Sequence, residues 1–281
     1  MADAIDSVST LVSPRRSRGI VLGSLTLWHR EMRRFFRQRH RVVSALITPI
    51  VLWLLLGSGL DHAFAVQHGP DGLARIGYRA YLFPGTLTMI LLFTAIFSTI
   101  TVIEDRQEGF LQSVLAAPVP RMAIVLGKVW GGTSIALVHG LVFLSLWPWV
   151  APSPVGAATL ACTAGTTLVV AIGLTAMGLC VAWPMDSATG FHAVMMLFLM
   201  PMWFLSGAMF PLTDAPPWLA VIMWCNPMTY GQAALSAALC HGDTGTPMAP
   251  WHAALATVGV SALMVMLATM LVVRSSGNSG T

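Results

Sequence analysis

The sequence predicts an all-α integral membrane protein: six transmembrane helices, an N-terminal amphipathic interfacial helix, a short cytoplasmic helix and an outer re-entrant helical hairpin before the last span. Three observations carry this. Hydrophobic residues make up 56% of the 281 positions and charged residues only 9%, against roughly 25% charged in soluble domains. Several stretches are free of Lys, Arg, Asp and Glu over the roughly 20 residues that a helix needs to cross a bilayer core. The basic residues crowd the beginning of the chain, so the formal charge of +4 reads as a topology signal and not as a nucleic-acid footprint.

Taken in order, residues 1–19 read as a disordered cytoplasmic tail and residues 20–41 as an amphipathic helix. Leu22, Leu25, Trp28, Met32, Phe35 and Phe36 recur at three- and four-residue steps, and Arg30, Arg33, Arg34, Arg37 and Arg41 occupy much of the remaining surface. Such a helix lies along the cytoplasmic interface, either as an anchor on anionic lipid or as a connecting helix that also rests on a cytoplasmic partner. The first long apolar run begins only near Val42, after this basic segment, so no cleavable signal peptide is expected and the N-terminus is retained.

The spans of the membrane domain, residues 42–273, fall at about 42–60, 81–103, 129–150, 156–182, 188–210 and 252–273, and residues 274–281 form a second tail. With the N-terminus in the cytoplasm, thirteen of the fifteen Lys and Arg lie on that side and only Arg75 and Arg79 lie outside. This positive-inside bias places both termini in the cytoplasm of a cell membrane, the bacterial inner membrane. Trp53, Trp130, Trp147, Trp149, Trp183, Trp203 and Trp251 stand mostly near span ends and read as an interfacial aromatic belt.

The loop after span two holds Glu104, Asp105, Arg106, Glu108 and Gly109, followed by Phe110, Leu111, Val114 and Leu115 at helical spacing and by Pro118 as a stop. Its charges mark where the membrane ends, because a charge at the bilayer centre costs about 2.5–3.5 kcal/mol on insertion scales. Its apolar edge calls for a protein partner or the membrane surface. Before the last span, Pro211, Pro217, Trp218, Asn226, Pro227 and Tyr230 punctuate two apolar helices too short to cross, with Asn226–Pro227 a strong helix start. These form the outer hairpin.

These segments resemble the type-2 ATP-binding-cassette (ABC) permease family, which includes daunorubicin-resistance and nodulation-factor exporters. The resemblance covers most of the chain and rests on Asp105 to Gly109 with Leu111 and Leu115, on Gly127–Lys128 at the start of span three, and on Pro211 to Tyr230. It implies a homodimer of permeases bound to two copies of an ABC ATP-binding subunit, with residues 107–118 as the coupling helix in a groove of the ATPase. The coupling residues would be Asp105, Arg106, Glu108, Gly109, Phe110, Leu111, Val114 and Leu115. Arg30, Arg33, Arg34 and Arg37 would form the connecting-helix interface, and Pro211, Pro217, Trp218, Asn226, Pro227 and Tyr230 the outer hairpin or gate. After Thr229–Tyr230, where many relatives carry an acidic residue and an Arg, this chain has Gln232, Ala233, Ala234, Leu235 and Ser236, which argues against a charged outer gate.

The remaining chemistry agrees with a transport subunit that is not itself an enzyme. Gly127–Lys128 is no phosphate loop, since Met122 replaces the first Gly and Val129 the hydroxyl residue. Lys128 reads as a snorkelling charge, and Gly127 with Gly131 as a close helix approach. No catalytic residue, metal site or nucleic-acid partner is expected, and ATP and Mg belong to the partner subunit. The four cysteines carry no redox or metal signature, with a Cys225–Cys240 disulfide left open. His139 and His192 fall inside spans and read as neutral imidazoles satisfied by neighbouring helices. A secondary transporter would show intramembrane acids or repeat symmetry; it and a non-transporting membrane assembly subunit are the alternatives. The substrate of an apolar path built from Met, Phe and Leu is a hydrophobic drug, a lipid or a lipid-linked glycan.

Overall fold

The computed structural model describes residues 2–37, 39–60, 77–117, 119–150, 156–240 and 247–274. All the regular elements among them are helical. In order they are α1 (Ala2–Arg37), α2 (Arg39–Leu60), α3 (Tyr78–Ser98), α4 (Ile100–Gln107), α5 (Phe110–Ala116), α6 (Arg121–Leu144), α7 (Ala157–Ala182), α8 (Ala188–Trp203), α9 (Pro217–Cys225), α10 (Pro227–Cys240) and α11 (Pro250–Arg274). Among the described residues, five helical stretches are long and apolar enough to cross a membrane: 78–107, 121–149, 157–182, 188–208 and 250–274. The apolar part of α2, Ala45–Leu60, is shorter than these five.

At the centre stands α3. Phe83, Leu87, Ile90, Leu91, Leu92 and Ala95 are fully buried, and the helix touches α2, α6, α7, α8 and α10. Its only strong preference is to be surrounded, which fits a helix that is apolar on every side. Small residues set the spacing of its neighbours: a Cβ on Gly132 of α6 would fall 2.3 Å from Ser98 Oγ and 2.5 Å from Thr175 Cγ2. Small side chains of α3 and α7 therefore pack directly on the α6 backbone.

The amphipathic helix differs from the expectation in length and in placement. Helical backbone starts at Ala2, within the stretch read as a tail, because each residue added to a formed helix gains a hydrogen bond at little further cost. Instead of lying free on a surface, α1 runs beside the first half of α6. A Cβ on Gly127 would stand 2.7 Å from Leu27 Cβ, one on Gly131 3.0 Å from Glu31 Cβ, and one on Gly23 3.2 Å from Ala123 Cβ. The Gly127–Gly131 pair does mark a close approach, and the partner it admits is α1.

Four tryptophans read as a belt are core residues: Trp53, Trp147, Trp183 and Trp203 are buried. Two of their indole N–H groups donate to backbone carbonyls, Trp53 to Arg79 O at 3.0 Å and Trp203 to Gly85 O at 2.8 Å. Trp130, Trp149 and Trp251 remain exposed. Cys225 and Cys240 close α9 and α10 respectively and are both free thiols. The length of α10 separates them by roughly 20 Å, beyond disulfide reach.

Candidate functional site

The end of the bundle that carries α5 is organised by four consecutive residues of α4. Asp105 has a fully buried side chain. Its Oδ2 accepts from Arg30 Nη1 at 2.9 Å and from Lys128 Nζ at 2.6 Å, and its Oδ1 accepts from Arg30 Nη2 at 2.6 Å and Arg34 Nη1 at 3.0 Å. Lys128 also donates to Glu31 Oε1 at 2.5 Å and to Thr101 Oγ1 at 3.2 Å. Arg34 reaches Glu104 Oε2 at 2.7 Å, with Glu108 at 3.6 Å. Three cations, Arg30, Arg34 and Lys128, thus face three carboxylates, Glu31, Glu104 and Asp105. Burying these charges is tolerable only because each has partners of the other sign and well-formed hydrogen bonds. The hydrogen bonds it donates to Asp105 raise the Arg30 guanidinium above its ordinary value, so it stays charged.

The next two residues turn the other way. Arg106 donates to the Trp183 and Met185 carbonyls and pairs with Asp186 at 2.8 Å. Gln107 donates to Asp186 O at 2.8 Å. Residues 104 and 105 therefore bind α1 and α6, while 106 and 107 bind the turn between α7 and α8. Arg121, at the start of α6, reaches the Val273 carbonyl near the end of α11 at 3.3 Å.

From this hub hangs α5. Gly109 precedes it at φ 76°, a left-handed turn that only Gly enters without strain. Leu111 is buried, Phe110 lies under the Arg30 guanidinium at 3.7 Å, and Val114 is half-buried, whereas Gln112, Ser113, Leu115 and Ala116 are exposed. The apolar edge expected to await a partner is largely spent on the chain's own body, because Phe110, Leu111 and Val114 share the face that looks at α1 and α4. Pro118 lies outside the described residues, and α5 ends at Ala116 with Ala117 already extended.

Of the connecting-helix arginines, Arg30 and Arg34 point into the hub, while Arg33 and Arg37 are exposed. With His29, Met32, Phe36 and Glu108 they line an open groove of about 1030 Å³ beside α5. Lys128 is not a snorkelling surface charge but a buried member of the hub. Glu31 escaped the sequence reading altogether; its spacing from Leu27, on the face opposite the Leu22–Leu25 stripe, was the available signal.

A second feature lies between α1, α2, α3, α6 and α8: a cavity of about 380 Å³ with Phe35, Phe93, Phe97, Met89, Met196 and Met200 in its wall. His139 and His192 both line it. The ring of His139 is only half satisfied, with Nδ1 3.1 Å from Thr94 Oγ1 and Nε2 without a partner among the described residues.

At the opposite end, α8 breaks into a π-turn over Phe204–Ala208, with Gly207 at φ 87°. The carbonyls this break releases are collected by side chains: Tyr81 donates to Gly207 O at 3.2 Å, Asn226 to Met202 O at 2.6 Å and Tyr78 to Met209 O at 3.4 Å. Asn226 Oδ1 also caps α10 by accepting from Met228 N at 3.0 Å, and Tyr230 donates to Trp224 O at 2.9 Å. Pro211 is the extended residue that opens the short turn before Pro217, the first residue of α9. Trp218 is exposed, whereas α10 is buried along most of its length.

A family model described as ABC-2 type transporter matches residues 24–240, from the hub face of α1 to the end of α10. The chain belongs to the ABC-2 type transporter family. Relatives include a protein of Pyropia yezoensis provisionally described as transport permease ycf38, 27% identical over 69% of this chain and 66% of that protein. Another is a probable multidrug ABC transporter permease of Escherichia coli, YbhR, 24% identical over 55% of this chain and 42% of the relative. The inner membrane transport permease YadH of Escherichia coli is 23% identical over 73% of this chain and 78% of that protein. The match thus spans less than two thirds of the length of the first two of these relatives. The chain is thus a membrane-embedded member of this family, and its matched region contains the hub, α5, the cavity and the outer hairpin.

Proposed function

We propose that this permease is the membrane half of an ATP-driven exporter, working as a homodimer with two copies of a separate ABC ATP-binding subunit. In this reading α2 joins the five longer helices as a sixth span, both termini are cytoplasmic and the membrane is a bacterial inner membrane. The hub end faces the cytoplasm, and α5 is the coupling helix. One observation supports the reading above others: α5 is a short helix that exposes Gln112, Ser113, Leu115 and Ala116 and is rooted through residues 104–107 in α1, α6 and the α7–α8 turn. A movement imposed on α5 by a nucleotide-driven partner is delivered to several membrane helices at once, since buried, fully paired charge clusters resist deformation. The groove beside it, with His29, Arg33 and Arg37, completes a seat for an acidic surface on the ATPase.

The cavity lined by Phe35, Phe93, Phe97 and three methionines is the part of the path that each protomer contributes, and its lining suits a hydrophobic substrate. The test is co-expression with candidate ABC ATP-binding subunits, followed by purification and ATPase assay. Leu115→Asp combined with Ser113→Arg alters only exposed positions of α5. The expected result is loss of the ATPase subunit from a permease that remains folded. A complex indifferent to both changes, or no ATP-binding partner at all, would overturn the proposal. Leu111→Asp is the wrong probe, since Leu111 is buried in the permease itself.

A further inference from the structure

The cavity and the hub share a wall. Glu31, Arg34 and Thr101 line the cavity, and each also holds a partner in the ionic cluster: Glu31 accepts from Lys128 at 2.5 Å, Arg34 donates to Glu104 and Asp105 at 2.7 and 3.0 Å, and Thr101 accepts from Lys128 at 3.2 Å. Glu31 is only half used. Lys128, and Arg30 at 3.8 Å, both approach Oε1, while Oε2 has no partner among the described residues. The polar side-chain atoms there that lack a partner and are also sealed from open space are Thr133 Oγ1 and His139 Nε2. Glu31 Oε2 is not one of them. This otherwise buried carboxylate therefore keeps one accessible oxygen, and the open space that Glu31 lines is the cavity.

We propose that Glu31 Oε2 is the polar anchor of a binding site in this cavity, which takes an apolar aromatic molecule bearing an uncharged hydrogen-bond donor, a hydroxyl or an N–H. The proposal rests on the reading of the cavity as part of the transport path and gives that path a ligand chemistry. A donor is required because a carboxylate can only accept. The other polar groups of the wall make no such choice: the Thr48 hydroxyl and the His192 imidazole can each both donate and accept, and the Arg34 guanidinium is directed at Glu104 and Asp105. The donor is uncharged because the three cations and three carboxylates of the hub already balance, and a further cation beside Lys128 and Arg30 would upset that balance in a buried setting. Aromatic character follows from the walls: Phe93 and Phe97 stack at 5.6 Å, and Phe35 meets the His139 ring edge-on at 5.4 Å. Such rings favour offset or edge contacts with a further ring, and methionine sulfur adds to them. A volume of about 380 Å³ lies at the low end for small-molecule pockets, which limits the occupant to a few fused or linked rings.

The binding assay uses the permease without an ATPase, so its failure is distinct from a failure of the coupling reading. Purified permease in nanodiscs is titrated with 1-pyrenemethanol and with its methyl ether, 1-(methoxymethyl)pyrene, and each isotherm is corrected for uptake by empty nanodiscs. Both probes can accept a hydrogen bond, and only the alcohol can donate one. Wild type should bind the alcohol at least about tenfold more tightly than the ether, which sets an oxygen lone pair against the carboxylate. Glu31→Gln should close the gap from both sides. Lys128 keeps the amide oxygen, the NH₂ group turns to the cavity, and both probes can accept from it. The ether should then bind more tightly than it does to wild type, a gain that damage to the fold cannot produce, and the gap should fall to about twofold or less. The single variant leaves three cations against two carboxylates; if it does not fold, Glu31→Gln with Lys128→Met restores equal numbers and should show an equally small gap. Equal binding of the two probes by wild type, binding of neither, or a gap that survives the loss of the carboxylate would each overturn the assignment.

Discussion

Replacing Asp105 by Asn tests the hub at the point where its charges converge. The amide keeps the carboxylate's shape and removes its charge, leaving Arg30, Arg34 and Lys128 against only Glu31 and Glu104. The site cannot recover this from water, because the side chains of Asp105, Lys128 and Glu31 are 0%, 5% and 6% exposed. Glu108 offers little help, at 3.6 Å from Arg34 and 60% exposed. Breaking a buried ion pair by removing one partner costs about 3–5 kcal/mol. At about 2–4 °C per kcal/mol for a chain of this size, that lowers the unfolding midpoint by roughly 6–20 °C. The assay is thermal unfolding of the detergent-purified permease, followed by intrinsic tryptophan fluorescence and by size-exclusion chromatography after heating. Asp105→Asn with Lys128→Met restores equal numbers of both signs and should recover at least about half of the loss, since the penalty arises from an unpaired buried charge. A single variant within about 1 kcal/mol of wild type, or a double variant no better than the single, would refute the account of Asp105 as the shared partner of three cations.

Three further expectations follow from backbone approach and from polar pairing. Gly127→Ala places a Cβ 2.7 Å from Leu27 Cβ and should cost about 1–3 kcal/mol, whereas Gly165→Ala, with nothing within 4 Å, should be neutral or stabilising by up to about 1 kcal/mol; thermal midpoints of the pair separate close approach from helix propensity. Gly207→Ala meets no atom within 4 Å, so its cost is purely that of φ 87°, about 1–2 kcal/mol, and Gly207→Asn should cost less in the same thermal assay. Gln232 lies on α10 where its amide meets Thr88, the Pro84 carbonyl, the Gly85 N–H and Ser236, so Gln232→Leu leaves several buried groups unpaired and should destabilise by about 1–3 kcal/mol per unsatisfied group. That variant should also speed hydrogen exchange in α10.

Composition and hydrophobic periodicity made the helices legible, because apolar length is dictated by the bilayer and not by tertiary detail. The loop charges were legible as a boundary for the same reason. What the sequence did not disclose was direction. Arg30 and Arg34 looked like one basic surface with Arg33 and Arg37, yet only the first two, one turn apart, meet Asp105: Arg33 is turned about 60–100° away from them around the axis, and Arg37, on nearly the same side as Arg30, stands about two turns further along. Glu31 stood amid five arginines and drew no notice, although an acid in such a row is the natural counter-ion for a lysine on another helix. The tryptophans misled in the opposite sense: a position near a span end is compatible with a headgroup layer or with a core, and only the carbonyls of Arg79 and Gly85 decided for the core at Trp53 and Trp203. Long-range pairing of this kind leaves no periodic trace, so Gln232 meeting Thr88 and His139 meeting Thr94 emerged only with the fold.

The alternation of attachments along α4 has a mechanical consequence. Asp105 and Arg106 stand about 100° apart around the helix axis, and they grip different parts of the bundle. Sliding α4 along its axis would drag both parts together, but rolling it would draw one group of helices in while paying the other out, like two cranks set at an angle on one axle. Under the coupling proposal, a small torque at α5 would become opposed displacements of α6 and the α7–α8 turn. Such an axle can change the width between helices without stretching any of them.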